Sequence, residues 1–148
     1  NAILSLGYTL VSSEVHQLIT ASGFDPSLGF LHQDTSGRES LVLDFVEIFR
    51  SAVDSFALEW LATAPLDDSS FFFREATGCR LSKATRPIFF QQWSQFRENW
   101  PRPMLPENHI DETLEEWPRT SIREVINGQI MRWRESLKDT NTSFEEPL

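Results

Sequence analysis

The chain has 148 residues, enough for one domain with a real core. Its 22 acidic and 13 basic side chains give a formal net charge of −9, which excludes a uniformly basic nucleic-acid binder. A DNA partner must therefore meet a local basic patch, or a metal ion that cancels carboxylate charge.

Only Lys83 and Lys138 are lysines among the 13 basic residues; the rest are Arg, which grips phosphate with two parallel hydrogen bonds better than Lys does. Cys79 is the single cysteine, which excludes an intramolecular disulfide and multi-thiolate zinc and fits a reducing, cytoplasmic setting. No apolar run reaches membrane-spanning length, so no membrane partner is expected. Asn1 and Ala2 open directly inside an apolar pattern, without an initiator Met or a leading cap. That start predicts a C-terminal fragment of a longer protein, with residues 1–148 as one helical domain.

Leu4, Tyr8, Val11, Val15 and Leu18 alternate in steps of four and three, predicting a helix from near Asn1 to about Ser22, stopped by Gly23. Residues 23–40 have no helical period. They read as an ordered loop, because Phe24, Leu28, Phe30 and Leu31 would be wasted in solvent. From Leu41 to about Thr63 apolar residues occupy most of a single long helix that Pro65 ends. Its narrow polar stripe is Asp44, Glu47, Ser51 and Asp54.

Phe71-Phe72-Phe73 and Cys79-Arg80-Leu81 flank Thr77-Gly78 and predict a short β-hairpin. Ser82 reads as the N-cap of a helix through about Asn99, with Pro87 delaying its start and Ile88, Phe89, Phe90, Trp93 and Phe96 inward. Residues 100–118 are rich in proline and acid and read as an extended, solvated segment. A last helix is expected from about Thr120 to Leu137, followed by a frayed tail over residues 139–148. The fold class is thus mainly α, a multi-helix bundle with one short β-hairpin near 71–81.

The candidate chemistry lies in His32, Asp44 and Glu47. Asp44 and Glu47 are three apart on one helix and share a face. His32 precedes that helix on a loop long enough to fold back. Two carboxylates on a greasy helix repel each other, and a cation among them removes that cost. Oxygen ligands with one imidazole suit Mg²⁺ or Mn²⁺, the nitrogen leaning toward Mn²⁺. The same spacing also describes a polar stripe facing water, with His32 an ordinary loop histidine.

Three blocks carry a resemblance: Asn1-Ala2 to Gly7-Tyr8; Gly23-Phe24-Asp25-Pro26 to Gly29-Phe30-Leu31-His32; and Ser40-Leu41, Asp44-Phe45, Glu47 and Phe49-Arg50. Together they resemble the CRISPR spacer-integration endonuclease family, in its C-terminal helical catalytic region. The remaining two-thirds of the chain matches more loosely.

The resemblance implies a metal-dependent DNA endonuclease and integrase, with Mg²⁺ or Mn²⁺ as cofactor. His32 and Glu47 become metal ligands, and Asp44 a second acid close to the metal. The reaction is phosphoryl transfer, in which a DNA 3′ hydroxyl attacks a phosphodiester at the edge of a repeat. His32, if not coordinated, can instead accept a proton. A further ligand, a Glu on an earlier helix, is absent from this sequence; Glu14 does not stand where the family places it. The fragment alone is therefore expected to be weak or inactive. The implied partners are DNA, a homodimer of the full-length protein and a small CRISPR adaptation protein.

Arg38 and Arg50 flank the ligands and are the DNA-contact candidates; a salt bridge to Glu47 or Asp54 is the other reading of Arg50. Arg74, Arg80, Lys83, Arg86, Arg97 and Arg102 form a local cationic excess suited to a DNA backbone, or an ordinary solvated face. His16 and His109 lack a ligand pattern. A non-catalytic helical module that binds DNA or protein is the competing function. A structural helical domain fused to another enzyme is a further alternative. A Ser or Cys hydrolase is not expected, since no Gly-x-Ser-x-Gly elbow occurs and Cys79 sits in a hairpin with no evident His partner; nor is a phosphate-loop nucleotide binder, since no Gly-rich loop with Lys follows a strand.

Overall fold

A computed structural model describes residues 1–31, 37–100 and 120–142. Its elements are α1 (Ala2–Ala21), α2 (Ser40–Glu47), α3 (Arg50–Thr63), β1 (Phe71–Arg74), β2 (Gly78–Leu81), α4 (Arg86–Glu98) and α5 (Ile122–Thr142). The architecture is mainly helical with one antiparallel hairpin, as the sequence patterns predict. His32, His109, Arg102, most of the Pro-rich acidic segment and tail residues 143–148 lie outside the described residues. No described helix is long and apolar enough to cross a membrane.

The centre of the fold is α1, which contacts α2, α3, β2 and α5. It buries Val11, Val15, Leu18 and Ile19 along one side. Gly7 lets α1 approach its neighbours closely: a Cβ there would meet Val53 Cγ1 at 2.8 Å and the Trp93 ring at 3.5 Å. The helix ends where Gly23 turns to φ 81°. The Phe24 amide then bonds the Ile19 carbonyl and the Gly23 amide that of Thr20, closing the last turn.

The single helix expected over 41–63 is two helices. At Ile48 and Phe49 the amides reach back three residues, to Phe45 and Val46, instead of four. The tightened turn carries Phe49 into the core, edge-on to Trp100 at 5.5 Å, and leaves Ile48 half exposed. Leu61, also expected inside, is half exposed on α3. The first turn of α2 is satisfied from outside, the Leu41 amide donating to the Pro26 carbonyl at 2.9 Å.

The hairpin pairs Phe71 with Leu81, Phe72 with Arg80, Phe73 with Cys79 and Arg74 with Gly78. Buried Leu81 anchors it to the core. Thr85, not Ser82, occupies the N-cap position of α4; Ser82 hydrogen-bonds the Thr85 hydroxyl in the turn before it, and Pro87 sits in the first turn. Phe89, Trp93, Phe96, Phe56 and Trp60 form an aromatic core between α3 and α4, while Phe90 is turned outward. The start of α5 is a capping box. Glu124 accepts from the Ser121 amide at 2.8 Å, and the Ser121 hydroxyl accepts from the Glu124 amide at 3.3 Å. The helix runs to Thr142, past the expected end at Leu137. Its Trp133 packs against Phe24, Phe30 and Phe45, with centroids 4.8, 5.9 and 5.8 Å away.

Candidate functional site

The loop entering α2 is held by Asp44, only 1% exposed. Its Oδ2 accepts hydrogen bonds from the Phe30 amide at 2.6 Å and the Leu31 amide at 3.0 Å. Burial of a carboxylate is costly, and charge-assisted bonds from backbone amides offset that cost. Asp44 is therefore no part of a water-facing stripe; it ties the residues just before His32 onto α2. Trp133 grips Phe30 from the other side. The loop's apolar residues are less buried than expected, with Leu28, Phe30 and Leu31 exposed by 59%, 53% and 71%. The tether acts through their backbone, so the side chains need not be inside.

Glu47, one turn beyond Asp44, is the last residue of α2 and exposed. Arg50, the first residue of α3, donates from Nη1 to Glu47 Oε1 at 2.8 Å. Its guanidinium also stands 5.3 Å from the Tyr8 ring centroid. The Tyr8 hydroxyl in turn donates to Asp54 Oδ1. Tyr8, Glu47, Arg50 and Asp54 thus form one chain of polar contacts across α1, α2 and α3. Of the two sequence readings of Arg50, the geometry has the salt bridge to Glu47. Arg38 is exposed, two residues before α2.

The electrostatics follow from these contacts. The Tyr8 phenol titrates above its ordinary value, first because Asp54 accepts its hydrogen, then through burial and the Asp54 charge; Arg50 pulls the other way. Arg50 is held more firmly protonated by its bond to Glu47, and secondarily by Tyr8. Tyr8 was legible as a residue of the α1 apolar stripe, and Asp54 as a stripe acid within reach of Arg50; their pairing was not, because a stripe position says nothing of a partner 46 residues away.

For a divalent cation the fit is partial. Among the described residues, no group of three His, Cys, Asp or Glu side chains converges as a metal cage. Asp44 is committed to amides and Asp54 to Tyr8. Glu47 offers a hard oxygen donor, and its exposed ion pair with Arg50 is a weak competitor for that oxygen.

The cationic excess seen in sequence divides. Arg97 bonds Glu14 Oε1 through Nη2 at 2.9 Å, half-buried between α4 and α1, and so is spent on structure. Arg74, Arg80, Lys83 and Arg86 are exposed on and after the hairpin. His16 is partly exposed, with Nδ1 2.9 Å from Glu39 Oε1.

A helical domain of this architecture has counterparts among known proteins. Residues 1–95 match the family model for CRISPR associated protein Cas1, and the chain belongs to that family. A CRISPR-associated endonuclease Cas1 of Thermodesulfovibrio yellowstonii is 42% identical over 99 residues, 64% of this chain and 31% of the relative. One from Thermus thermophilus is 37% identical over 136 residues, 87% of this chain and 36% of the relative. A casposase bound to integration product shares the fold at TM-score 0.74 and 21% identity, over 95% of this chain and 38% of the casposase. The chain spans about a third of the length of the curated relatives it matches.

Proposed function

We propose that this chain is the helical catalytic region of a metal-dependent DNA endonuclease and integrase that inserts spacers into CRISPR arrays. The observation that carries the reading is the double hydrogen bond from Phe30 and Leu31 to Asp44. It fixes the backbone one residue before His32 against the helix whose next turn ends in Glu47. An imidazole and a carboxylate from separate segments are what a Mg²⁺ or Mn²⁺ site draws from this part of the chain. The endonuclease names of the relatives and the integration product held by the casposase agree with that chemistry.

In this reading His32 and Glu47 are ligands, and Asp44 positions the loop. The bound ion supplies Lewis-acid polarisation of a phosphoryl oxygen. Arg50 releases Glu47 and turns its guanidinium toward a phosphate, with Arg38 beside it. Tyr8, anchored on Asp54, keeps Arg50 at the junction. The set is short of one acid, and by resemblance a Glu from an earlier helix completes it. This chain alone is accordingly a weak metal binder with little activity of its own. The intact protein works on DNA as a homodimer with a small CRISPR adaptation protein.

The test is a melting series of the 148-residue chain with Mn²⁺. A rise in Tm that both His32→Ala and Glu47→Gln abolish supports the reading. A wild-type chain indifferent to Mn²⁺ leaves a non-catalytic helical module that holds DNA or a protein partner.

A further inference from the structure

The first strand of the hairpin, β1, is an open edge. The Ser82 amide donates to the Ser70 carbonyl at 2.9 Å, and this contact sets the phase of the ladder. Residues 70, 72 and 74 turn their backbone groups toward β2, while Phe71 and Phe73 turn theirs away. The outward N–H and C=O of Phe71 and Phe73 meet no hydrogen-bond partner among the described residues. Helix α1 packs against β2, and no described helix meets β1 as closely. Folded proteins guard sheet edges with proline, lysine or a bulge, and Phe71-Phe72-Phe73 carries none of these. Phe73 is in addition 75% exposed, and folding gains nothing from an aromatic ring left in water.

This edge is complementary to itself. When two copies meet about a two-fold axis at Phe72, Phe71 of each stands opposite Phe73 of the other. All four are outward-facing residues, so each opposed pair exchanges both of its N–H···O=C bonds. On one face every Phe71 ring then meets a Phe73 ring, and on the other the two Phe72 rings meet across the axis. Cross-strand aromatic pairs of this kind stabilise antiparallel sheets. The charges suit the same register. Arg74 stands opposite Ser70, toward the end where the second copy carries Asp67 and Asp68, and Glu75, beyond the strand, falls opposite Ser69. No two like charges are directly opposed, whereas parallel pairing in register would set Arg74 on Arg74.

We infer that β1 is a docking edge for a second copy of this chain. The two hairpins join into one antiparallel sheet of order β2-β1-β1-β2, with the two-fold axis between the β1 strands. A strand of 4 residues gives a small interface, so the contact is reversible and depends on concentration. It needs neither metal nor DNA and stands apart from the Glu47 junction.

The experiment is sedimentation velocity of the 148-residue chain in EDTA, without DNA, over a concentration series up to about 1 mM. The wild-type chain should pass from monomer to dimer. Phe73→Pro removes an outward amide that β2 does not use, and Phe73→Lys places a charge on the edge. Each should raise the dimer Kd about tenfold or more, while Phe90→Ser, which removes an exposed ring from α4, should leave it unchanged. Circular dichroism and Tm matching wild type show that the variants are folded. A nitroxide on Cys79, the single cysteine and an exposed one, reads the register. Three strand spacings sideways and two residues lengthwise put the two Cys79 Cα atoms roughly 16 Å apart. A chain that stays monomeric overturns the proposal and leaves the edge to a strand of another protein. A dimer whose labels lie beyond about 30 Å overturns it as well. So does an unchanged Kd in the folded Phe73 variants, or a Phe90→Ser loss equal to theirs. The Mn²⁺ melting series is a separate measurement, so the metal reading stands or falls on its own.

Discussion

Asp44 and Leu31 are joined by a 3.0 Å hydrogen bond that ends a loop on the helix it is about to become. The donor is a backbone amide and the acceptor a carboxylate that water scarcely reaches. The Phe30 amide makes the same contact, so one side chain fixes two consecutive residues.

Replacing Asp44 by Ala should therefore cost stability and loosen the loop together. Each bond to a charged acceptor is worth about 1.5–3 kcal/mol, but the freed amides lie near the surface and water recovers part of it. A net loss of about 2 kcal/mol is expected by chemical denaturation. Amide exchange at Phe30 and Leu31 should accelerate, with Asp44→Asn falling between. Unaltered exchange at those two amides would remove the tether from the account.

Tyr8 is the only tyrosine, so its ionisation can be followed alone through the ultraviolet absorbance of tyrosinate. The midpoint should lie above the ordinary value of about 10, because Asp54 accepts the phenolic hydrogen and opposes a second negative charge. The folded value is raised, so the proton-bound phenol is the stabilised form. Its contribution is complete below the unfolded value and lost as pH climbs through the folded one. Asp54→Asn should lower the midpoint. A midpoint that does not move shows that Asp54 is not its cause.

Gly7→Ala should destabilise the fold by about 1–3 kcal/mol, since the new methyl falls against Val53 in a packed interface. Val53→Ala opens a cavity and is itself destabilising. The two changes are complementary, so the double variant should lose less than the sum of the single losses. Strict additivity in urea denaturation would mean that α1 and α3 do not meet there.

Much of the fold was legible because its signals are local. Gly23 and Gly78 mark chain reversals where φ is positive, and the apolar periods of α1 and α5 each run uninterrupted along their helix. The break at Ile48 and Phe49 was not legible. No Gly or Pro marks it, and the apolar run continues through both residues. The polar stripe failed with it, since a tightened turn resets the angle between Glu47 and the residues of α3. In the site, Glu47 and Arg50 were readable as helix neighbours. The burial of Asp44 was not, because its partners are backbone amides, which carry no sequence letter. Leu28 and Leu31 show the converse: apolar letters do not by themselves mean interior positions.

The contact of Trp133 with Phe24 and Phe30 bears on how the protein is made. The aromatic support for the loop comes from the last helix, more than a hundred positions downstream. During synthesis the ribosome releases α1, the loop and α2 well before α5. The loop's carboxylate anchor can form early, while its aromatic brace must wait for α5 to emerge. A nascent chain stalled before Trp133 would hold a half-supported loop, so the loop is fully braced only after α5 has left the ribosome.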